Sequence, residues 1–179
     1  MLSGAAVGAM FLVAVAALLA QPAPQRPASD LAGIPIASSA TTQELTIRWT
    51  PYPGPPEELV PPRVTPPAAQ FVVTNRRLVP GALPRERSPQ LSENHLVIVT
   101  IDSAGREVDW QVIVDPRLVR AESPGPNGQI VGRVLHRRTT EFLVTLAADR
   151  AVSEIRVYEP SWTGTQFVLQ YVAAIALPQ

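Results

Sequence analysis

The stretch that decides the fold is HLVIVTIDSAGREVDWQVIV, residues 95–114. Its first arm is apolar on both sides, with Leu96, Ile98 and Thr100 opposing Val97, Val99 and Ile101. Its second arm alternates, setting Val108, Trp110, Val112 and Val114 against Glu107, Asp109, Gln111 and Ile113. Successive strand side chains point to opposite faces, so a period of two predicts a strand with one covered face. The link DSAG (102–105) begins with Asp and ends with Gly, the chemistry of a type I turn closed by a left-handed residue. The stretch therefore predicts a β-hairpin. On this phase Trp110 is the central core residue, Trp49 shares that reading, and Glu107 and Asp109 lie on the solvated face.

Outward from the hairpin, other segments carry strand patterns. In TQELTIRW (42–49), Leu45, Ile47 and Trp49 oppose Glu44, Thr46 and Arg48. QFVVTNRRLV (70–79) has strand composition that breaks at Asn75, Arg76 and Arg77. IVGRVLHRRTTEFLVTLA (130–147) supplies one or two strands, with Phe142, Val144 and Leu146 inward. VSEIRVYEP (152–160) and TQFVLQYVAAIALP (165–178) alternate as well, although the AAIA near the end favours helix by composition.

Two long connections interrupt the strands. Residues 51–67 hold eight prolines in seventeen positions, and each proline removes a ladder donor. They predict a rigid crossover over one end of the domain. Residues 115–129 form the second connection. Roughly seven to nine short strands without a sustained helical stripe predict a two-layer antiparallel β-sandwich of immunoglobulin-like type over residues 41–179.

Residues 1–20, MLSGAAVGAMFLVAVAALLA, carry no charged side chain. As a helix the run from Ala5 to Ala20 is about 24 Å long, short of a hydrocarbon layer of about 30 Å. It predicts a hydrophobic N-terminal helix acting as a signal peptide. Extended back to Leu2 it predicts a membrane anchor, with attachment through residues 2–20. Residues 21–40, rich in Pro, Ala and Ser, read as a flexible linker. The compartment expected is extracytoplasmic, periplasmic or secreted.

Composition narrows the chemistry. The chain has 179 residues, zero formal net charge and 46% hydrophobic residues, enough for a core and without the basic excess of a nucleic-acid binder. All 15 basic residues are Arg, so lysine chemistry is excluded. With no cysteine there is no disulfide framework, thiolate metal site or cysteine nucleophile. The two histidines, His95 and His136, stand far apart in sequence and predict no metal site. GPNGQIVGR (125–133) lacks the strand-turn-helix setting of a phosphate cradle and reads as a turn. Arg133, Arg137 and Arg138, with Arg76 and Arg77, form a candidate basic patch without interleaved aromatics, so nucleic acid is not expected. Asp115 and Glu122 bracket the second connection and read as turn caps. No catalytic residue and no cofactor are assigned. Trp162, in the turn PSWTG (160–164), reads either as a ring folded back over the sheet edge or as the candidate binding anchor, because an aromatic ring gives large contact area at low entropic cost.

DSAGREVDWQVIVDPRLVRAE (102–122) and EFLVTLAADRAVSEIRVYEP (141–160) resemble a known family. A D-x-x-G turn, a strand ending in DP-R and a late strand EIRVYEP are similar to the immunoglobulin-like accessory domain beside zinc metallopeptidase domains of the immunoglobulin-A peptidase family. Related exported bacterial proteins carry it too. The resemblance spans about residues 95–160 and implies a bacterial extracytoplasmic β-sandwich. The chain has no H-E-x-x-H, so the peptidase half is absent from it.

These readings converge on an exported, non-catalytic module that binds or braces another envelope or secreted protein. The alternative is a small hydrolase or carbohydrate-active domain working with acids alone. Acids converging in a concave site would favour the enzyme, and an exposed apolar strip would favour the interaction module.

Overall fold

The computed structural model describes residues 24–63, 65, 69–82, 90–148 and 150–177. The expected signal or anchor helix, residues 1–20, lies outside them. Among the described residues no helix is long and apolar enough to cross a membrane.

The chain is all-β. Its strands are β1 (Gln25–Pro27), β2 (Thr41–Thr50), β3 (Leu59–Val60), β4 (Gln70–Pro80), β5 (His95–Asp102), β6 (Glu107–Val114), β7 (Leu118–Pro124), β8 (Ile130–Arg137), β9 (Thr140–Ala147), β10 (Val152–Trp162) and β11 (Phe167–Ala176). One 3-10 helix covers Ala28–Gly33. A five-stranded sheet runs β1-β11-β10-β5-β6, a three-stranded sheet β4-β2-β9, and a small third sheet β3-β8-β7. Every pairing is antiparallel.

The two larger sheets share one core, in the manner of a β-sandwich. Leu45, Ile47 and Trp49 of β2 and Phe142, Val144 and Leu146 of β9 meet Leu96 and Ile98 of β5 and Ile155 and Val157 of β10. Trp49 is fully buried, stacks on Phe71 with centroids 5.1 Å apart and meets Phe142 edge-on at 6.4 Å. A second core lies on the opposite face of the five-stranded sheet, where Leu31 and Ile34 cover Val97, Val99, Ile101, Tyr158 and Leu169. Strand β5 is thus covered on both faces, which accounts for its unbroken apolar run.

The double covering corrects the expectation that β6 has one covered and one solvated face. Trp110 is half-buried and packs with Val112 in the second core, while Ile113 packs in the first, where Trp49 holds the central position. Asp109 is buried, not solvated, and accepts the Ala37 amide at 3.1 Å. Glu107 pairs with Arg26, whose guanidinium also lies over the Tyr158 ring at 5.6 Å. The register shifts between Thr100 and Ile101, which leaves Val108 unpaired and turns Glu107 to the outer face. The hairpin turn forms as read: Gly105 has φ +78°, and the Asp102 carboxylate accepts the Ala104 and Arg106 amides at 2.9 Å each.

The stretch read as a linker is not a free tether over residues 25–37. β1 pairs with β11, and Leu31, Ile34 and Ala37 are buried. β4 continues through Asn75–Arg77 to Pro80, with a register shift opposite Thr46 and Ile47. The run AAIA stays in strand because Ile175 reaches the main core.

The expected connection over 115–129 contains a seven-residue strand, β7. β7 and β8 form a two-stranded ribbon from Leu118↔His136 to Pro124↔Ile130, closed by a turn with Gly128 at φ +73°. β3 pairs with β8 only at His136 and Arg137. Ile130 is 71% exposed, and Val131 and Val134 are exposed as well.

Candidate functional site

A cleft of about 500 Å³ opens at the root of the ribbon, lined by Glu93, Asp115, Arg117, His136, Glu159 and Val134, among others. It lies where β5 and β11 begin and β6 and β10 end. The turn Asp115-Pro116-Arg117 joins β6 to β7, and the proline-rich crossover brings Tyr52, Arg63 and Thr65 over the same end.

Arg117 is the centre of this site and is 3% exposed. Its Nη2 donates to Asp115 Oδ2 at 2.6 Å and to Glu159 at 2.8 Å. Its Nε donates to both Asp115 oxygens at 3.0 Å, and its main-chain amide to Oδ1 at 2.9 Å. Nη1 donates to Thr65 Oγ1 at 2.9 Å and to the Tyr52 hydroxyl at 3.3 Å. The Thr65 hydroxyl in turn donates to Glu159. The guanidinium lies 4.4 Å from the Trp49 ring centroid, so the ionic cluster caps the main core. Burial opposes its charge, but the hydrogen bonds and fields of Asp115 and Glu159 outweigh burial and hold Arg117 above its ordinary pKa.

Tyr52 and His136 complete the cluster. The Tyr52 hydroxyl donates to the Arg63 carbonyl at 2.7 Å and lies 3.0 Å from His136 Nδ1. Tyrosine has one hydroxyl proton, so Nδ1–H of neutral His136 is the donor to Tyr52. Burial, and then Arg117, push the imidazole below its ordinary pKa and keep it neutral. Burial raises the Tyr52 pKa, with Asp115 and Glu159 adding to it against Arg117.

Chemically, two carboxylates share one guanidinium. Asp115 commits both oxygens to Arg117, and Glu159 shares its bound oxygen with Thr65. No group of three or more His, Cys, Asp or Glu suited to a metal ion occurs among the described residues.

The other sequence candidates fall elsewhere. Trp162 is 50% exposed and packs against Phe167 at 5.0 Å. Its amide donates to Glu93, a lining residue of the cleft, at 3.2 Å, so it stands at the same end as the ribbon. His95 accepts the Ser92 amide through Nδ1 at 3.1 Å. Glu122 is exposed on β7, away from Asp115's buried position. The basic residues of the candidate patch lie on separate elements: Arg76 and Arg77 on β4, where Arg77 pairs with Glu44 of β2, Arg133 and Arg137 on the ribbon, and Arg138 after it, paired with Glu58.

Sequence reasoning missed the Asp115–Arg117–Glu159 cluster. Asp115 and Arg117 sit in DP-R and Glu159 in EIRVYEP, stretches far apart in sequence, and no spacing motif signals that they meet. Comparisons with protein-family models, curated proteins and solved structures give no match to this chain.

Proposed function

We propose that this protein is an exported, non-catalytic β-sandwich module of immunoglobulin-like type that binds or braces another envelope or secreted protein. The observation that carries the reading is the ribbon, a projecting element whose apolar side chains Ile130, Val131 and Val134 have no core to enter. Exposed apolar residues grouped on one projection favour a docking surface. With Arg120, Arg133 and Arg137 beside them, they suit an apolar protein strip bordered by acids. Trp162 and Phe167 add an aromatic pair at the same end.

The order β11-β10-β5-β6 opposite β2-β9 supports the immunoglobulin-like type, because it parallels G-F-C-C′ opposite B-E in that fold. The hairpin partner β4 and the ribbon are departures from that plan. Export rests on the uncharged apolar run of residues 1–20. A second reading, a small acid-dependent hydrolase or carbohydrate-active domain, draws on the convergence of Asp115 and Glu159 in the cleft. The commitment of those acids to Arg117 weighs against it.

The test is capture of the bound protein from the native envelope or medium, followed by titration. Trp162→Ala is expected to weaken binding about tenfold with little change in melting temperature. Unchanged affinity would remove Trp162 from the docking face, and a hydrolytic activity abolished by Asp115→Asn would favour the second reading.

A further inference from the structure

The ribbon has a free edge whose chemistry is specific. Arg137 donates its amide to the Arg117 carbonyl at 2.9 Å, and Gly125 to that of Gln129 at 2.7 Å. These bonds fix the phase of the β7–β8 ladder: Val119, Ala121 and Ser123 direct their backbone groups toward β8, and Arg120 and Glu122 direct theirs outward. The free stretch is closed at both ends, because the Leu118 amide donates back to the Asp115 carbonyl at 3.2 Å and Pro124 has no amide. Arg120 and Glu122 are exposed, and among the described residues β7 has no ladder neighbour other than β8.

The geometry points to a second copy of this chain as the occupant of that edge, joined by antiparallel β7–β7 pairing about a two-fold axis at Ala121. In this register Arg120 of one copy lies opposite Glu122 of the other, and the reverse. Both pairs exchange N–H···O bonds, and both carry opposite charges on one face. Shifting by one ladder step in either direction sets Arg120 opposite its own copy, or Glu122 opposite its own, so like charges reject the neighbouring registers. The edge strand β4 lacks this property: its adjacent Arg76 and Arg77 share one sign, and the strand ends in Pro80. The inference rests on the reading of the ribbon as a docking element and adds the occupant of its edge.

Because the chain has no cysteine, one substitution tests the axis. Across it Ala121 meets Ala121 in a non-hydrogen-bonded pair with Cα atoms about 4.5 Å apart, within the disulfide range. Mild oxidation of the Ala121→Cys protein should give a covalent dimer, and Ser123→Cys, which faces Val119 of the second copy, should not. In sedimentation, Arg120→Glu alone and Glu122→Arg alone should each weaken self-association about tenfold, and mixing the two variants should restore it. Circular dichroism checks that each variant is folded. A monomeric wild type, or a dimer indifferent to these changes, overturns the proposal. If a ribbon-truncated chain then still loses capture of a different protein, only the second-copy assignment falls; if capture also survives, the docking reading falls with it.

Discussion

Strands β5 and β7 mark two ways of holding a strand in one molecule. β5 is paired on both edges and buried on both faces, so its stability is dispersed over many apolar contacts. β7 is paired on one edge, and its charged residues Arg120 and Glu122 stand in solvent. A two-stranded ribbon is marginal by itself in water. This one is held at its root, where Arg117 precedes β7, His136 stands in β8, and both meet Tyr52 from the proline-rich crossover. The sandwich is thus secured by burial and the ribbon by a few buried polar bonds, which leaves the outer ribbon uncovered, as the proposed docking role requires.

The sharpest way to break the comparison is at Arg117. Arg117→Ala would strand the Asp115 and Glu159 carboxylates without their shared cation and uncover the Trp49 ring. We expect a loss of about 3–5 kcal/mol, read by urea unfolding. In a double-mutant cycle with Asp115→Asn the two changes should couple by about 1–3 kcal/mol, as members of one network do. A loss under about 1 kcal/mol would mean that the cluster does not secure the ribbon root.

A smaller effect comes from His136. Its folded pKa lies below the ordinary value of about 6.5, first through burial and then through Arg117, with Asp115 opposing. The unfolded chain therefore binds a proton more readily than the folded one. Its contribution is present above about pH 6.5 and is lost as pH falls from there through the depressed folded pKa. Melting temperature should drop over that window in the wild type and drop less in His136→Gln. Equal slopes in both proteins would remove His136 as the source.

How much of this was legible in the sequence follows from burial. The 95–114 hairpin, β2, β9 and the start of β11 announced themselves because one or both faces enter a core and select apolar residues at a fixed period. β7, LVRAESP, gave no such signal, since neither face of its outer half is covered, and it read as a connection. The covering of β6 was read one-sidedly because both faces of its sheet are covered and its ladder slips at Val108, so alternation alone could not say which core Trp110 enters. The strap over residues 25–37 is held by only a few apolar side chains, Leu31, Ile34 and Ala37 among them, too sparse for a periodic pattern. In the site, Asp115 looked like turn chemistry and Arg117 carried no signal of its own, because their partner Glu159 lies far along the chain.

The most direct test of the division between sandwich and ribbon is to remove the ribbon's outer part. Replacing Arg120–Val134 with Asn-Gly leaves Val119 and Leu135 joined by a two-residue hairpin turn and keeps the ionic root. Melting temperature and capture of the bound protein are then measured on the same preparation. Melting temperature should shift by no more than about 4 °C, and capture should be lost. A truncated chain that still captures its partner with wild-type affinity would contradict that division.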